Sequence, residues 1–331
     1  ASLLYATAPV LGGVAVVALA RSLFGMGSAV GVATMTYVAE HVPPEQRMSA
    51  YAVNFGLQRA CIPIAPALNL LLVRLPDAQL GVLTLNQYNY TGLLSALLNS
   101  LILLSLLLFR EPPRQRASTE RAAPTPAEVC RTVGRTGAYM SYFLSFQNNW
   151  TNHVVIWTMP IITSHLYPAM GIVGNSVLLA SGGVTALVTA FSTPRMFKGV
   201  PDRRILLLTQ LCQGATILPF VLIYGCETGH PPLWCYYVIY DLYSVAFMAQ
   251  MPANNAIYTK LIGAQGQGIY MSLLEISKAA ARIFAGLMIG TAYAALGPCF
   301  LWSVTMGIWS LQFVPFLANW SRLDVESRTV V

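Results

Sequence analysis

Long apolar runs alternating with short polar gaps fill the chain from end to end. Nine of these runs approach or exceed the ~20 residues that a helix needs to cross the hydrocarbon core of a bilayer: 13–39, 49–75, 92–109, 137–164, 171–193, 204–226, 233–260, 268–295 and 298–319. The gaps sort by charge. Of 19 Lys and Arg residues, 14 fall in alternate gaps and in the C-terminal tail: Arg47; Arg110, Arg114, Arg116, Arg121, Arg131 and Arg135; Arg195, Lys198, Arg203 and Arg204; Lys260; Arg322 and Arg328. On the opposite side Arg74 stands alone. Basic residues are retained on the cytosolic side of inserted helices, so these gaps and the C-terminus are predicted to be cytosolic. Loops 76–91, 165–170, 227–232 and 296–297 then face a lumen or the outside.

Composition narrows the picture. A chain that is 56% hydrophobic and 9% charged leaves no material for a soluble domain, so the expected class is an all-α polytopic membrane protein. The net charge of +7 follows from the loop asymmetry, and it implies no nucleic-acid partner. The bilayer is the partner that the pattern requires; oligomeric state is not written in it. No group of residues has metal-ligand spacing, and no cofactor is expected.

The first residues, Ala1 to Ala8, are apolar but too few to span, and read as the end of a helix that begins upstream. Residues 110–136 mix Pro, Ala, Thr and Arg without apolar periodicity, as a solvated linker does. The predicted organisation is therefore a partial N-terminal bundle over 1–109, a cytosolic linker over 110–136, a six-helix bundle over 137–319 and a cytosolic tail over 320–331. Six plus six helices about a basic linker is a layout of transporters built from repeated halves, with the substrate site between them. On that count, two helices and most of a third precede Ala1.

The first full run carries Arg21, Gly25, Gly27 and Gly31, followed by Tyr37, Glu40, Pro43, Pro44, Glu45, Gln46 and Arg47. This arrangement resembles the fourth helix and following turn of the major facilitator superfamily. Gln265 to Met271, Ala281-Arg282-Ile283 and Gly297-Pro298, together with Thr158-Met159-Pro160 and Gly199 to Arg204, resemble the branch of lysosomal transporters typified by the protein defective in a late-infantile ceroid lipofuscinosis. The resemblance implies alternating-access transport of a small molecule or ion in a lysosomal or endosomal membrane, and it implies no enzyme. The G-x-x-x-G-P pattern of the superfamily's proton antiporters is missing. Cys61, Pro63, Ala65 and Pro66 stand in that place, with Arg59 beside them.

Individual residues carry the rest. A charge within a span costs about 2.5–3.5 kcal/mol on insertion scales unless it finds a partner or water. Arg21 is thus either a coupling residue, as its counterpart in the superfamily resembles, or a side chain snorkelling to the luminal interface. Glu275, Lys278 and Arg282 stand at i, i+3 and i+7 and share one helix face with one cation in excess. Asp241 is the acid expected to complete the pairing from another helix. That face either lines a wet cavity that attracts anions or forms a structural network.

Ser141, Ser145, Asn148 and Asn152 make a polar stripe, with Gln147, Asn149 and His153 beside it. The stripe is either a cavity wall or interhelical glue. Asn54 and Gln58 lie one turn apart, and Glu40 is a further carboxylate for coupling. Asp202, Arg203 and Arg204 form a gating loop, with Asp202 capping the next helix. On the luminal side, Asn89 opens an N-glycosylation sequon. Cys226 and Cys235 are either disulfide-bonded or free thiols. Besides transport, the residues leave open passive anion conduction, encouraged by Arg21, Arg59, Lys278 and Arg282, and a non-transporting scaffold or receptor.

Overall fold

The computed structural model describes residues 2–11, 13–27, 30–59, 68, 71–72, 75–80, 83–108, 125–133, 136–224, 231–262 and 267–323. Among them the chain is helical apart from connecting turns and one hairpin. The helices are α1 (Ser2–Leu11), α2 (Val14–Gly27), α3 (Val30–His41), α4 (Arg47–Arg59), α5 (Gln87–Leu108), α6 (Pro126–Val133), α7 (Thr136–Leu166), α8 (Gly171–Met196), α9 (Asp202–Pro219), α10 (Leu233–Ile262), α11 (Gln267–Met288) and α12 (Ala294–Ala318). Strands β1 (Ala78–Leu80) and β2 (Leu83–Leu85) pair antiparallel, Gln79 opposite Thr84. This short ribbon lies in the loop 76–91.

Contacts divide the chain into two compact units, one formed by Ala1–Ala33 with Ala65–Ala122, the other by Thr34–Ile64 with Ala123–Val331. Residues 34–64 join the second unit because α4 lies against α8 and α10. In the first unit α5 packs on α1, where a Cβ added to Gly92 would sit 2.9 Å from Ala6 Cβ, a fit that only a glycine allows. Asn99 Nδ2 donates to Ser2 Oγ across the same contact (3.2 Å).

The second unit explains its own helix pairs. Gly56 of α4 meets α8 so closely that an added Cβ would lie 2.9 Å from Ala190 Cβ. Gly182 of α8 receives the ring of Tyr240 in α10, and Gly214 of α9 receives the indole of Trp309 in α12. Small residues let helix backbones approach where lipid supplies no hydrophobic drive. At the end of the bundle bearing Lys260, Met140, Leu144, Ile205, Leu206, Ile257 and Phe316 form an apolar plug.

Three described stretches are long and apolar enough to cross a membrane by length and composition: Val173–Met196, Asp202–Leu222 and Gln267–Ala318, the last covering both α11 and α12. The 31-residue α7 and 30-residue α10 have the length, but their mean hydropathy is lowered by interior polar residues. Those polar side chains face inward: Ser145, Gln147, Gln250 and Asn255 are each fully buried. Both helices also carry an interior proline, Pro160 in α7 and Pro252 in α10. Each lacks the N–H that would bond the carbonyl one turn earlier, on Ile156 and Met248. Between α11 and α12 a π-helical segment, Ile289–Tyr293, intervenes, and Gly297 then breaks the helix with φ of 78°, a conformation suited to glycine.

Candidate functional site

The interior of the second unit is polar in layers. Four amides from α7 and α9 form a chain: Gln210 Nε2 donates to Gln147 Oε1 (3.1 Å), Gln147 Nε2 to Gln213 Oε1 (3.0 Å), and Gln213 Nε2 to Asn148 Oδ1 (2.9 Å). Gln147 also donates to Thr151 Oγ1 at 3.1 Å. Asn254 of α10 donates to Ser145 Oγ (2.8 Å) and to the Ser141 carbonyl (3.1 Å). The predicted stripe on α7 thus serves as interhelical glue on one side. Gln210, Gln213 and Asn254 were not anticipated as its partners, although amides inside otherwise apolar runs were the available signal. His153 is half-buried, its Nδ1 3.2 Å from the Asn149 carbonyl.

A small open recess is lined by Asn152 and Ile156 of α7, Gly182 of α8, and Tyr240, Ser244 and Met248 of α10. The two carbonyls released by Pro160 and Pro252 belong to residues of this lining.

A second layer joins α3 and α4 to α10 and α11. Met35 is buried, and its sulfur accepts Asn54 Nδ2 from α4 and Asn255 Nδ2 from α10, both at 3.6 Å. Tyr51 donates to the Met35 carbonyl at 3.3 Å. Gln58 is exposed and donates to Asn54 Oδ1 (3.4 Å). Lys278 is 1% exposed, with its ammonium 5.8 Å from the Phe55 ring centroid and 2.5 Å from Glu275 Oε1. Arg282 reaches the other oxygen of the same carboxylate at 3.7 Å. Two cations therefore share one acid. Asp241, expected to complete this pairing, does not: among the described residues it has no ion pair, and its Oδ1 is buried without a hydrogen-bond partner. Which way a helix face turns is set by packing, and spacing along one helix cannot reveal it.

At the Lys260 end, Lys260 Nζ lies 2.8 Å from Asp202 Oδ2. Asp202 is the first residue of α9, with Pro201 at the cap position, and its carboxylate makes the ion pair with Lys260. Arg203 stacks on Trp320, 5.3 Å from the ring centroid, while Arg204 is exposed. Arg47 is buried and donates from Nε to the Val42 carbonyl (3.0 Å) and from Nη1 to the Thr259 carbonyl (3.4 Å), which also accepts Gln267 Nε2 (3.4 Å).

Other predicted residues stand apart. Glu40 is exposed at the end of α3. The side chains of Arg21 and Arg59, and all of Cys226, lie outside the described residues. Cys235 carries a free thiol, so the Cys226–Cys235 bridge is not formed; Cys299 is the disulfide-bonded cysteine among the described residues. Asn89 is 3% exposed in the first turn of α5, which gives the sequon no accessible amide in this packing. No cluster of metal-ligating side chains occurs among the described residues.

The model of one protein family, described as the Major Facilitator Superfamily, matches residues 1–286. The chain belongs to that superfamily. Its fold is correspondingly similar to solved members. FucP, crystallised as a superfamily transporter in the outward conformation, superposes with a TM-score of 0.65 at 14% identity, covering 94% of this chain and 79% of that one. A second FucP structure, titled the fucose:proton symporter of E. coli, gives 0.65 and 14%, covering 94% and 82%. A bacterial homologue of the iron transporter ferroportin, in an outward-facing state, gives 0.60 and 15%, covering 86% and 66%. At such identity the likeness concerns the fold. As a superfamily member the chain is an integral, multi-pass membrane protein of a transporter family that carries small molecules. The outward-facing apolar belt accords with this: Leu107 and Leu108 of α5 are 76% and 78% exposed, a surface suited to lipid.

Proposed function

We propose that the chain moves a small solute by alternating access in an endolysosomal membrane, with proton coupling through Glu275 and its two cations. The observation that carries this reading is the buried ammonium of Lys278 held against Glu275. A buried charge is retained where it binds or relays. Protonation of Glu275 releases Lys278 and Arg282 to an anionic solute group, and return of the carboxylate expels it. The Arg47 and Lys260–Asp202 contacts hold the end of the bundle that the charge pattern assigns to the cytosol. The endolysosomal setting is supported by the sequence resemblance to the ceroid-lipofuscinosis branch.

Solute exchange in proteoliposomes, read by solid-supported-membrane currents across a panel of anionic metabolites, tests the reading. Currents that grow with an inwardly acidic gradient and vanish in E275Q are expected. Currents indifferent to both the gradient and E275Q overturn the coupling.

A second reading rests on the same cluster: two cations on one carboxylate leave an excess positive charge, as an anion conduit would. Chloride currents that persist without any solute gradient would favour it.

A further inference from the structure

We infer that the solute group met by the Glu275 cluster is a carboxylate, and that its receptor is the guanidinium of Arg282 on an open face of α11. This rests on the reading that the cluster meets the solute, and it names the class of that solute.

The two cations of the cluster are not equally engaged. Lys278 is buried, and its ammonium donates to Glu275 Oε1 at 2.5 Å. Arg282 stands 3.7 Å from the other oxygen, beyond hydrogen-bonding distance, and its Nε is buried without a hydrogen-bond partner. Among the described residues no acceptor is bonded to this guanidinium, which carries five N–H donors. A buried acid can lose its charge by taking up a proton, whereas an arginine in a protein stays charged. Nor can the side chain reach an interface. Arg282 lies midway between Gln267, where α11 begins, and Gly297, where the helix breaks, about 20 Å along the axis from either. A cation at that depth requires acceptors brought to it.

The two exposed sides of α11 differ. Ile276, Ile283 and Leu287 are exposed on one side, bulky and apolar, as lipid requires. Arg282 lies on another, with Glu275, Ala279 and Gly286 at i−7, i−3 and i+4 from it. Ala279 and Gly286 are exposed, and a Cβ added to Gly286 would meet nothing within 4 Å. Towards Gln267 the same side is closed, since a Cβ added to Gly268 would lie 3.7 Å from Thr36 Cγ2 of α3. Small residues on both flanks of Arg282 therefore leave room for a group to lie against its guanidinium.

A carboxylate suits that room and those donors. A guanidinium offers two parallel N–H bonds to the two oxygens of a carboxylate. Ala279 and Gly286 add no side-chain donor, so the further oxygens of a phosphate or sulfate would find none on this side. Charge points the same way: protonation of Glu275 removes one negative charge from the cluster, and one carboxylate restores the balance.

Ligand-induced shifts in the thermal unfolding of the purified full chain, in mixed micelles at mildly acidic pH, test the inference with benzoate, lactate, sulfate and inorganic phosphate as probes. Saturable stabilisation by benzoate and lactate is expected, with half-saturation roughly tenfold or more below that of sulfate and phosphate. R282K, which keeps the charge and loses the fork, should raise half-saturation for the carboxylates roughly tenfold. A279L, which fills one flank, should raise it as well, while L287A on the lipid-facing side leaves it unchanged. Unfolding midpoints without ligand show whether each variant folds; A279L keeps the comparison if R282K does not. Sulfate or phosphate matching the carboxylates, no saturable response to either carboxylate in the wild type, or half-saturation unchanged in both R282K and A279L overturns the inference. Carboxylate binding that survives while currents ignore both the proton gradient and E275Q would refute the coupling proposed above and leave the solute class standing. Gradient-driven currents confined to sulfate or phosphate would do the reverse.

Discussion

Lys278 and Glu275 are paired but unequally hidden: the lysine side chain is 2% exposed and the carboxylate 21%. Removing one partner of a buried pair costs about 3–5 kcal/mol when the survivor is left uncompensated in a low dielectric. The two removals therefore have different consequences. E275Q takes the carboxylate from a fully enclosed ammonium that lies 5.8 Å from the Phe55 ring centroid, and a cost near the lower bound of that range, about 3 kcal/mol, is expected. K278M strands a carboxylate that still has Arg282 at 3.7 Å and partial access to water, so its cost is expected to be about 1 kcal/mol. The double variant removes both charges and should recover about 2 kcal/mol relative to the sum of the single changes. Equilibrium unfolding in mixed micelles, arranged as a double-mutant cycle, measures all three. Equal costs for E275Q and K278M with additive behaviour in the double variant would refute the reasoning, because the two charges would then be acting independently.

Two other expectations follow from the geometry. Q147L breaks the amide chain at its centre, losing the bonds to Gln210, Gln213 and Thr151; at about 0.6 kcal/mol for each hydrogen bond between membrane helices, a loss of about 2 kcal/mol in the same unfolding assay is expected. In α6, Thr125 and Glu128 form a capping box, the carboxylate accepting the Thr125 backbone N–H at 2.8 Å while the Thr125 hydroxyl faces the Glu128 N–H at 3.4 Å. The Thr125 N–H and hydroxyl hold the Glu128 carboxyl below the usual range. A depressed carboxylate stabilises the folded form above its unfolded pKa and loses that contribution as pH falls through the folded value. Amide-exchange protection of residues 126–133, corrected for intrinsic rates, should therefore drop on acidification in the wild type and be already low and flat with pH in E128A.

Much of the fold was legible because insertion into lipid imposes length and apolarity on each helix. The run 137–164 became Thr136–Leu166, and 233–260 became Leu233–Ile262. Their ends were readable because Gly, Pro and charged residues mark where a helix meets the interface. The intrahelical pair Glu275–Lys278 was legible for the same reason, since i and i+3 positions share a face whatever the tertiary packing. What could not be read was rotation. Asp241 was expected to pair with the cations of the Glu275 face, and Lys278 and Arg282 both meet Glu275 instead, because helix periodicity fixes positions relative to one another and leaves the azimuth to packing at residues such as Gly182. The packing of α4 on α8 was hidden similarly: it depends on Gly56 meeting Ala190, a contact between residues 134 positions apart that no local pattern signals. The Cys226–Cys235 pairing rested on short separation, and separation does not determine which sulfur atoms meet.

The Thr259 carbonyl has two visitors, the guanidinium of Arg47 from one helix and the amide of Gln267 from another, each at 3.4 Å. If α4 withdraws, the oxygen is not abandoned, because the amide stays to cover it. At this oxygen, parting forfeits one long contact and strands no acceptor, so this one point of the seam opens and recloses without leaving a bare carbonyl.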